Sequence, residues 1–147
     1  MMVEFAPEEI VQKEGYLSIL VHSVGINFRD VLNVLGAYPG DPGPPGADCS
    51  GVVSSCCTLT RSSQELLVGD AVLALASGSF ATTVDVPLTV ASLMSSGTSF
   101  ELAASTPSVY MTVWLALQQA CGASESDTIL VHAGSGGIGT AAINVSN

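Results

Sequence analysis

Residues 128–147 read TILVHAGSGGIGTAAINVSN, and the reading of this stretch decides the fold. TILVH is a short apolar run after a polar turn, which predicts a buried strand. Gly134-Ser135-Gly136-Gly137-Ile138-Gly139 fits G-x-G-x-x-G, and the residues after it open a helix. A glycine loop that follows a strand and opens a helix is the setting a dinucleotide fingerprint needs. Glycines permit the tight turn and close backbone approach, and a helix N-terminus turns free N–H groups toward a pyrophosphate. The plainer alternative is a strand–helix turn that holds no ligand, and the pattern favours the nucleotide reading. The residue that would read the ribose falls about 20 positions farther on, past Asn147.

Upstream, Thr106 before Pro107 predicts an N-cap with proline at the first helical position. A helix is expected from there to about Cys121, with Val109, Val113, Trp114 and Leu117 as its apolar stripe and Gly122 as its stop. Before it, β-prone runs at 50–58, 66–76 and 79–86 are divided by turn residues such as Gly69-Asp70 and Ser77-Gly78-Ser79, the signature of a small twisted sheet or barrel. YLSILVH (16–22) is a further strand candidate. Gly25 then leads into an amphipathic helix on Phe28, Val31, Leu32 and Leu35, with Asn27 as N-cap, Asp30 at the positive helix end and Gly36 as stop. The loop AYPGDPGPPG (37–46) holds four prolines and excludes regular structure. Two architectures therefore meet near residue 122: residues 1–122 as one unit, and 123–147 as the first strand, loop and helix of another.

The composition narrows the function classes. Of 147 residues, 48% are hydrophobic and only 11% charged, which excludes intrinsic disorder. Three Lys+Arg against 13 Asp+Glu give a net charge of −10. With Lys13, Arg29 and Arg61 as the only cations, nucleic-acid binding is not expected. So little charge implies a surface partly covered by a protein partner. The uncharged stretch Leu102–Ser124 is interrupted by Thr106-Pro107-Ser108, Thr112 and Gln118-Gln119, so it reads as a core helix, and no motif requires a membrane. Cys49, Cys56, Cys57 and Cys121 show no metal-ligand spacing, and MMVEFAPEEI is not a leader sequence. The expected compartment is the cytoplasm or another reducing one.

Three segments, VGINFRDVLNVLGAYPGDPGPPGADCSGVV (24–53), VGDAVLALASGSFAT (68–82) and TPSVYMTVWLALQQACGASESDTILVHAGSGGIGTAA (106–142), resemble the enoyl reductase domain of polyketide and fatty-acid synthases. That domain is a zinc-free branch of the medium-chain dehydrogenase/reductase superfamily, close to quinone oxidoreductases. The NFRDVLN and YPGDPGP strings carry the likeness more specifically than the glycine loop does. The resemblance implies a mainly β fold with α: a GroES-like β-barrel catalytic domain followed by the start of a Rossmann-type α/β domain. Zinc-dependent cousins carry Cys where this chain has Asn27 and His where it has Ala47, and they have a four-cysteine lobe for which there is no room here. No zinc is therefore expected.

The reaction implied is hydride transfer from NADPH to the β-carbon of an α,β-unsaturated acyl thioester, followed by protonation at the α-carbon. By the resemblance, Tyr38 is the proton donor, since a phenol stays protonated at neutral pH. Asn27 and Thr112 would line the nicotinamide, and Ser135, Gly136, Gly137, Ile138 and Gly139 would take the pyrophosphate. The simpler alternatives are a Tyr38 packed on the proline run, an Asn27 that only caps its helix, and a Thr112 that is an ordinary helix residue. His22 and His132 read as satisfied strand-end residues, and Arg29 as a partner of Asp30 or Asp48.

The chain also departs from the family pattern. Ala71 replaces the arginine of GDRV, the Rossmann pattern stops after one strand and a helix start, and the family's later lysine and aspartate have no counterpart. A chain at −10 also exerts little long-range attraction on NADPH. These departures imply an enoyl reductase that is incomplete on its own, with a protein partner over the truncated sheet and the apolar surface. The alternative is a non-catalytic structural or interaction subunit derived from a reductase barrel.

Overall fold

A computed structural model of the chain describes residues 13–56 and 66–146. The readings made of the N-terminal MMVEFAPEEI, of Cys57 and of Arg61 lie outside the described residues. Five strands form one open antiparallel sheet, β1 (Tyr16–Gly25), β2 (Asp48–Cys56), β3 (Ala71–Leu75), β4 (Thr83–Pro87) and β5 (Ala91–Leu93), in the order β4-β1-β2-β3-β5. Helices α1 (Phe28–Val34), α2 (Phe100–Ala104), α3 (Pro107–Trp114) and α4 (Gly137–Ser146) surround it. Among the described residues no helix is long and apolar enough to cross a membrane.

The central strand explains the packing. β2 is covered on both faces, so Asp48, Cys49, Ser50 and Gly51 are buried in succession. Cys49 and Val53 point into a core with Leu17, Ile19, Val72, Ala74 and Val86. Asp48 and Ser50 point the other way, to the helices: Ser50 Oγ donates to the Phe100 carbonyl at 2.6 Å and Asp48 accepts from Ser108. Ala103, Ala104 and Val113 bury the inner sides of α2 and α3. In the core, burial first and then the neighbouring Asp48 charge push the Cys49 thiol from 9.0 up to about 11.

Three expectations change. The apolar stripe of α1 faces outward: Phe28 is 74% and Leu35 71% exposed, while Asp30 is 5% exposed. Asp30 faces inward because its carboxylate accepts from the amides of Asn27 and Gly46, both at 2.8 Å. Gly46 reaches this position with a φ of +90°, where a Cβ would strike the Ser79 hydroxyl. Residues 128–132 form no strand ladder, and Leu130 is 80% exposed. A strand needs a neighbour to exchange N–H···O=C bonds, and all five strands of the sheet precede residue 94. Finally, α3 does not run on as α-helix; residues 115–120 widen into a π-turn, with the Cys121 amide donating to the Ala116 carbonyl at 3.1 Å.

Ile19→Ala is expected to cost about 2–5 kcal/mol in chemical denaturation. Val34→Ala, at a side chain 82% exposed, should stay within about 0.5 kcal/mol of the parent. Because the native state holds the Cys49 proton up to about 11, stability is full below 9.0 and falls as pH rises through that interval. Urea midpoints measured across it should decline less in Cys49→Ala.

Candidate functional site

The site is built outward from a carboxylate at the start of the central strand. Asp48 is 2% exposed. Its Oδ2 accepts from Asn27 Nδ2 at 2.9 Å, and its Oδ1 accepts from the Ser108 amide at 3.0 Å and the Ser108 hydroxyl at 2.7 Å. Buried charge is tolerable only when hydrogen bonds replace its water, and three donors do so here. Asn27 is in the extended conformation of an N-cap, φ −109° and ψ 160°, at the head of α1. Ser108 sits in the first turn of α3. Thr106 was expected to cap that helix, but its hydroxyl donates back to the Ala103 carbonyl at 2.8 Å and makes no cap bond. Asp48 fills the role from a distant strand, with its negative charge at the positive helix end.

Arg29 pairs with neither Asp30 nor Asp48. Its guanidinium donates to the Pro42 carbonyl and lies over the Tyr38 ring, 5.7 Å from the centroid. The two carboxylates already have neutral donors inside the fold, and a guanidinium keeps more of its hydration at the surface. Asn33 Nδ2 donates to the Gly43 carbonyl at 3.1 Å, so the proline loop is tied to α1 at two points. Tyr38 is half-buried in this loop beneath the cation. His22 stacks on Phe100 with ring centroids 4.4 Å apart, and His132 is exposed.

At the other end, α4 begins inside the glycine loop. Gly139 is buried, and a Cβ there would strike the Ala133 carbonyl oxygen and come within 2.7 Å of Gly134 Cα. At Gly136 a Cβ would meet only the Ala133 oxygen, at 3.4 Å, so this side of the loop is open. Gly136 donates to the Ala133 carbonyl at 3.0 Å, and Thr140 donates to the Gly136 carbonyl at 2.8 Å. Among the described residues no hydrogen bond uses the amides of Gly137, Ile138 or Gly139. These groups, with exposed Ser135, present unpaired donors at a helix N-terminus. α4 rests on α3 through Asn144 Nδ2, which donates to the Tyr110 hydroxyl at 3.1 Å. Thr112 is exposed on the same α3.

The expected site residues thus form two groups. Asn27 and Tyr38 lie at the two ends of α1 and its loop, while Thr112 and Ser135–Gly139 lie on α3 and α4. Asp48 and Ser108, which the sequence reading did not assign to the site, join the groups. The signal was present in GADCSGVV: a carboxylate in an otherwise small and apolar strand has to be partnered.

No protein-family model matches the chain. It is 34% identical over 146 residues, 99% of its length, to the type I phenolphthiocerol synthesis polyketide synthase Pks15/1 of Mycobacterium bovis, and spans 7% of that protein. In fold it is similar to the CurK enoyl reductase, with a TM-score of 0.78 and 27% identity over 90% of this chain and 43% of that one. It is also similar to a mycobacterial protein solved in complex with NADPH, with a TM-score of 0.73 and 28% identity over 87% of this chain and 40% of that one. The chain is therefore enoyl reductase-like, related in sequence to polyketide synthases and in fold to the reductases of the medium-chain dehydrogenase/reductase superfamily.

Proposed function

We propose that the chain belongs to an NADPH-dependent enoyl reductase of the polyketide-synthase type, and that further polypeptide completes it. In this reading residues 1–122 are a GroES-like catalytic domain and 123–147 open a Rossmann-type domain. The observation that carries it is the close approach of Gly139 to Ala133 and Gly134. That contact sets a glycine loop against a helix start with free amides. The loop is open at Gly136 and closed at Gly139, as a backbone cradle for a pyrophosphate requires. Ser135, Gly136, Gly137, Ile138 and Gly139 would hold the phosphates, and Asn27 and Thr112 would border the nicotinamide.

Bound NADPH would supply the hydride to the β-carbon of an α,β-unsaturated acyl thioester. The chain's own part is to exclude water, orient the acyl group and deliver a proton to the α-carbon. The Tyr38 hydroxyl, on a ring held by Arg29, is the proposed donor. Asn27 and Ala47 offer neither thiolate nor imidazole, which supports a zinc-free reaction. Cys49, Cys56 and Cys121 are free thiols, in keeping with a reducing compartment.

A second reading, a non-catalytic interaction subunit, is favoured by another observation. Ile26, Phe28, Val34 and Leu35 form an outward apolar surface at α1, and Leu130 lies open beyond α3. Both readings include a protein partner over these surfaces.

The two are separated by titrating the chain with NADPH, followed by nucleotide fluorescence, with the mass in solution measured on the same sample. Saturable micromolar binding that disappears in Gly136→Val supports the reductase, because valine there fills the open side of the loop without touching its closed side. Where enoyl-thioester reduction is then detected, Tyr38→Phe should lower kcat by at least tenfold and leave NADPH affinity unchanged. A chain that binds no nucleotide and self-associates would overturn the reductase reading in favour of the subunit.

A further inference from the structure

We propose that Asp48 is a positioning residue that couples the two halves of the candidate site, holding Asn27 and the head of α3 as one unit. The inference rests on the NADPH reading for its functional consequence and on geometry alone for the coupling. An ionised carboxylate has no proton to donate, so every group facing it must be a donor. Asn27 therefore turns Nδ2 inward to Asp48 Oδ2, which fixes the orientation of its carboxamide, while Ser108 gives Oδ1 both its amide and its hydroxyl. The first bond anchors the N-cap of α1, and the second pair anchors the first turn of α3. α3 in turn carries Thr112 and, through the Tyr110–Asn144 bond, supports the helix that opens at the glycine loop. A displacement at Asp48 is thus felt at both residues that would border the nicotinamide, Asn27 and Thr112, while the glycine loop keeps its own local contacts at Gly139, Ala133 and Gly134. The carboxylate has no cation within this network, so its neutral donors set the geometry.

Exchanging the two side chains tests the coupling. In Asp48→Asn the two carboxamides must either set donor against donor or turn the Asn27 carboxamide round from its parent orientation, and in Asn27→Asp two carboxylates face each other. In the double variant the carboxamide introduced on β2 would donate to the carboxylate introduced at the head of α1 and still accept from Ser108. Each single variant is expected to speed hydrogen exchange of the Ser108 amide by roughly tenfold, and the double variant should restore it to within about twofold. A double variant as fast as the product of the singles would overturn the coupling. Should the single variants not fold, Ser108→Ala, which keeps the backbone bond, is read at the Asn27 side-chain amide by NMR: faster exchange there supports the coupling, and unchanged exchange overturns it.

The functional consequence has its own readout. Asp48→Asn should weaken NADPH binding by roughly tenfold and leave phospho-ADP-ribose, which keeps the pyrophosphate and lacks the nicotinamide, within about twofold. Equal loss for both nucleotides would mean general damage to the fold and would overturn the positioning role. If the parent chain binds neither nucleotide, the NADPH reading fails by itself, and exchange at Ser108 still decides the coupling.

Discussion

A carboxylate buried in the central strand, with no cation beside it among the described residues, is the constraint on which much of this structure depends. Removing such a charge from water costs several kcal/mol unless donors replace the lost hydration. Asp48 obtains them from opposite directions, Asn27 at the start of α1 and Ser108 at the start of α3. Both helices are thereby fixed to one residue of β2. The alternation of that strand does the rest: Cys49 and Val53 fill the sheet's core while Asp48 and Ser50 meet the helical layer. Its backbone is tied in as well, since the Asp48 carbonyl accepts from the Ser79 hydroxyl at 3.2 Å.

The same accounting explains why α1 lies with its apolar residues outward. Burying Phe28 or Leu35 would contribute about 1.5–3 kcal/mol each. Turning the helix to do so would take Asp30 from the Gly46 amide, Asn33 from the Gly43 carbonyl and Arg29 from the Pro42 carbonyl. Charge-assisted bonds to buried carboxylates are worth about 1.5–3 kcal/mol apiece, and the amides left behind would be unsatisfied as well. The polar set outweighs the apolar pair. The result is an apolar surface at Ile26, Phe28, Val34 and Leu35, in keeping with a chain that has only 11% charged residues.

What the sequence made legible was local. The β-prone runs, the N-cap at Asn27, the stop at Gly36 and the helix opening in the glycine loop all follow from short-range chemistry, and all appear in the structure. The failures needed information from far along the chain. Thr106 looks like a cap until Asp48, 58 positions earlier, supplies one. Arg29 looks like the partner of a nearby carboxylate until neutral donors occupy both acids. TILVH has the composition of a buried strand, but composition cannot provide the neighbour whose backbone would pair with it. The roles proposed for Tyr38 and Thr112 come only through resemblance, because such chemistry depends on a ligand rather than on folding, whereas the glycine loop was also readable from its G-x-G-x-x-G spacing.

The glycine loop also shows how a nucleotide-type turn can take shape without a parallel sheet beside it. In a doubly wound fold such a loop is positioned by the strand that enters it and the strands on either side. Here the entering residues have no ladder, so other contacts must set the turn. Gly139 against Ala133 and Gly134 fixes the loop locally, and the two hydrogen bonds of Thr140, to the carbonyls of Gly136 and Gly134, close it. Buried Ala141 and the Asn144–Tyr110 bond seat α4 on α3, and α3 is held at its head by Asp48. The glycine-loop half of the candidate site therefore takes its support from the antiparallel unit. That makes the helical contact between α3 and α4, rather than the run from Thr128 to His132, the mechanical base of the loop.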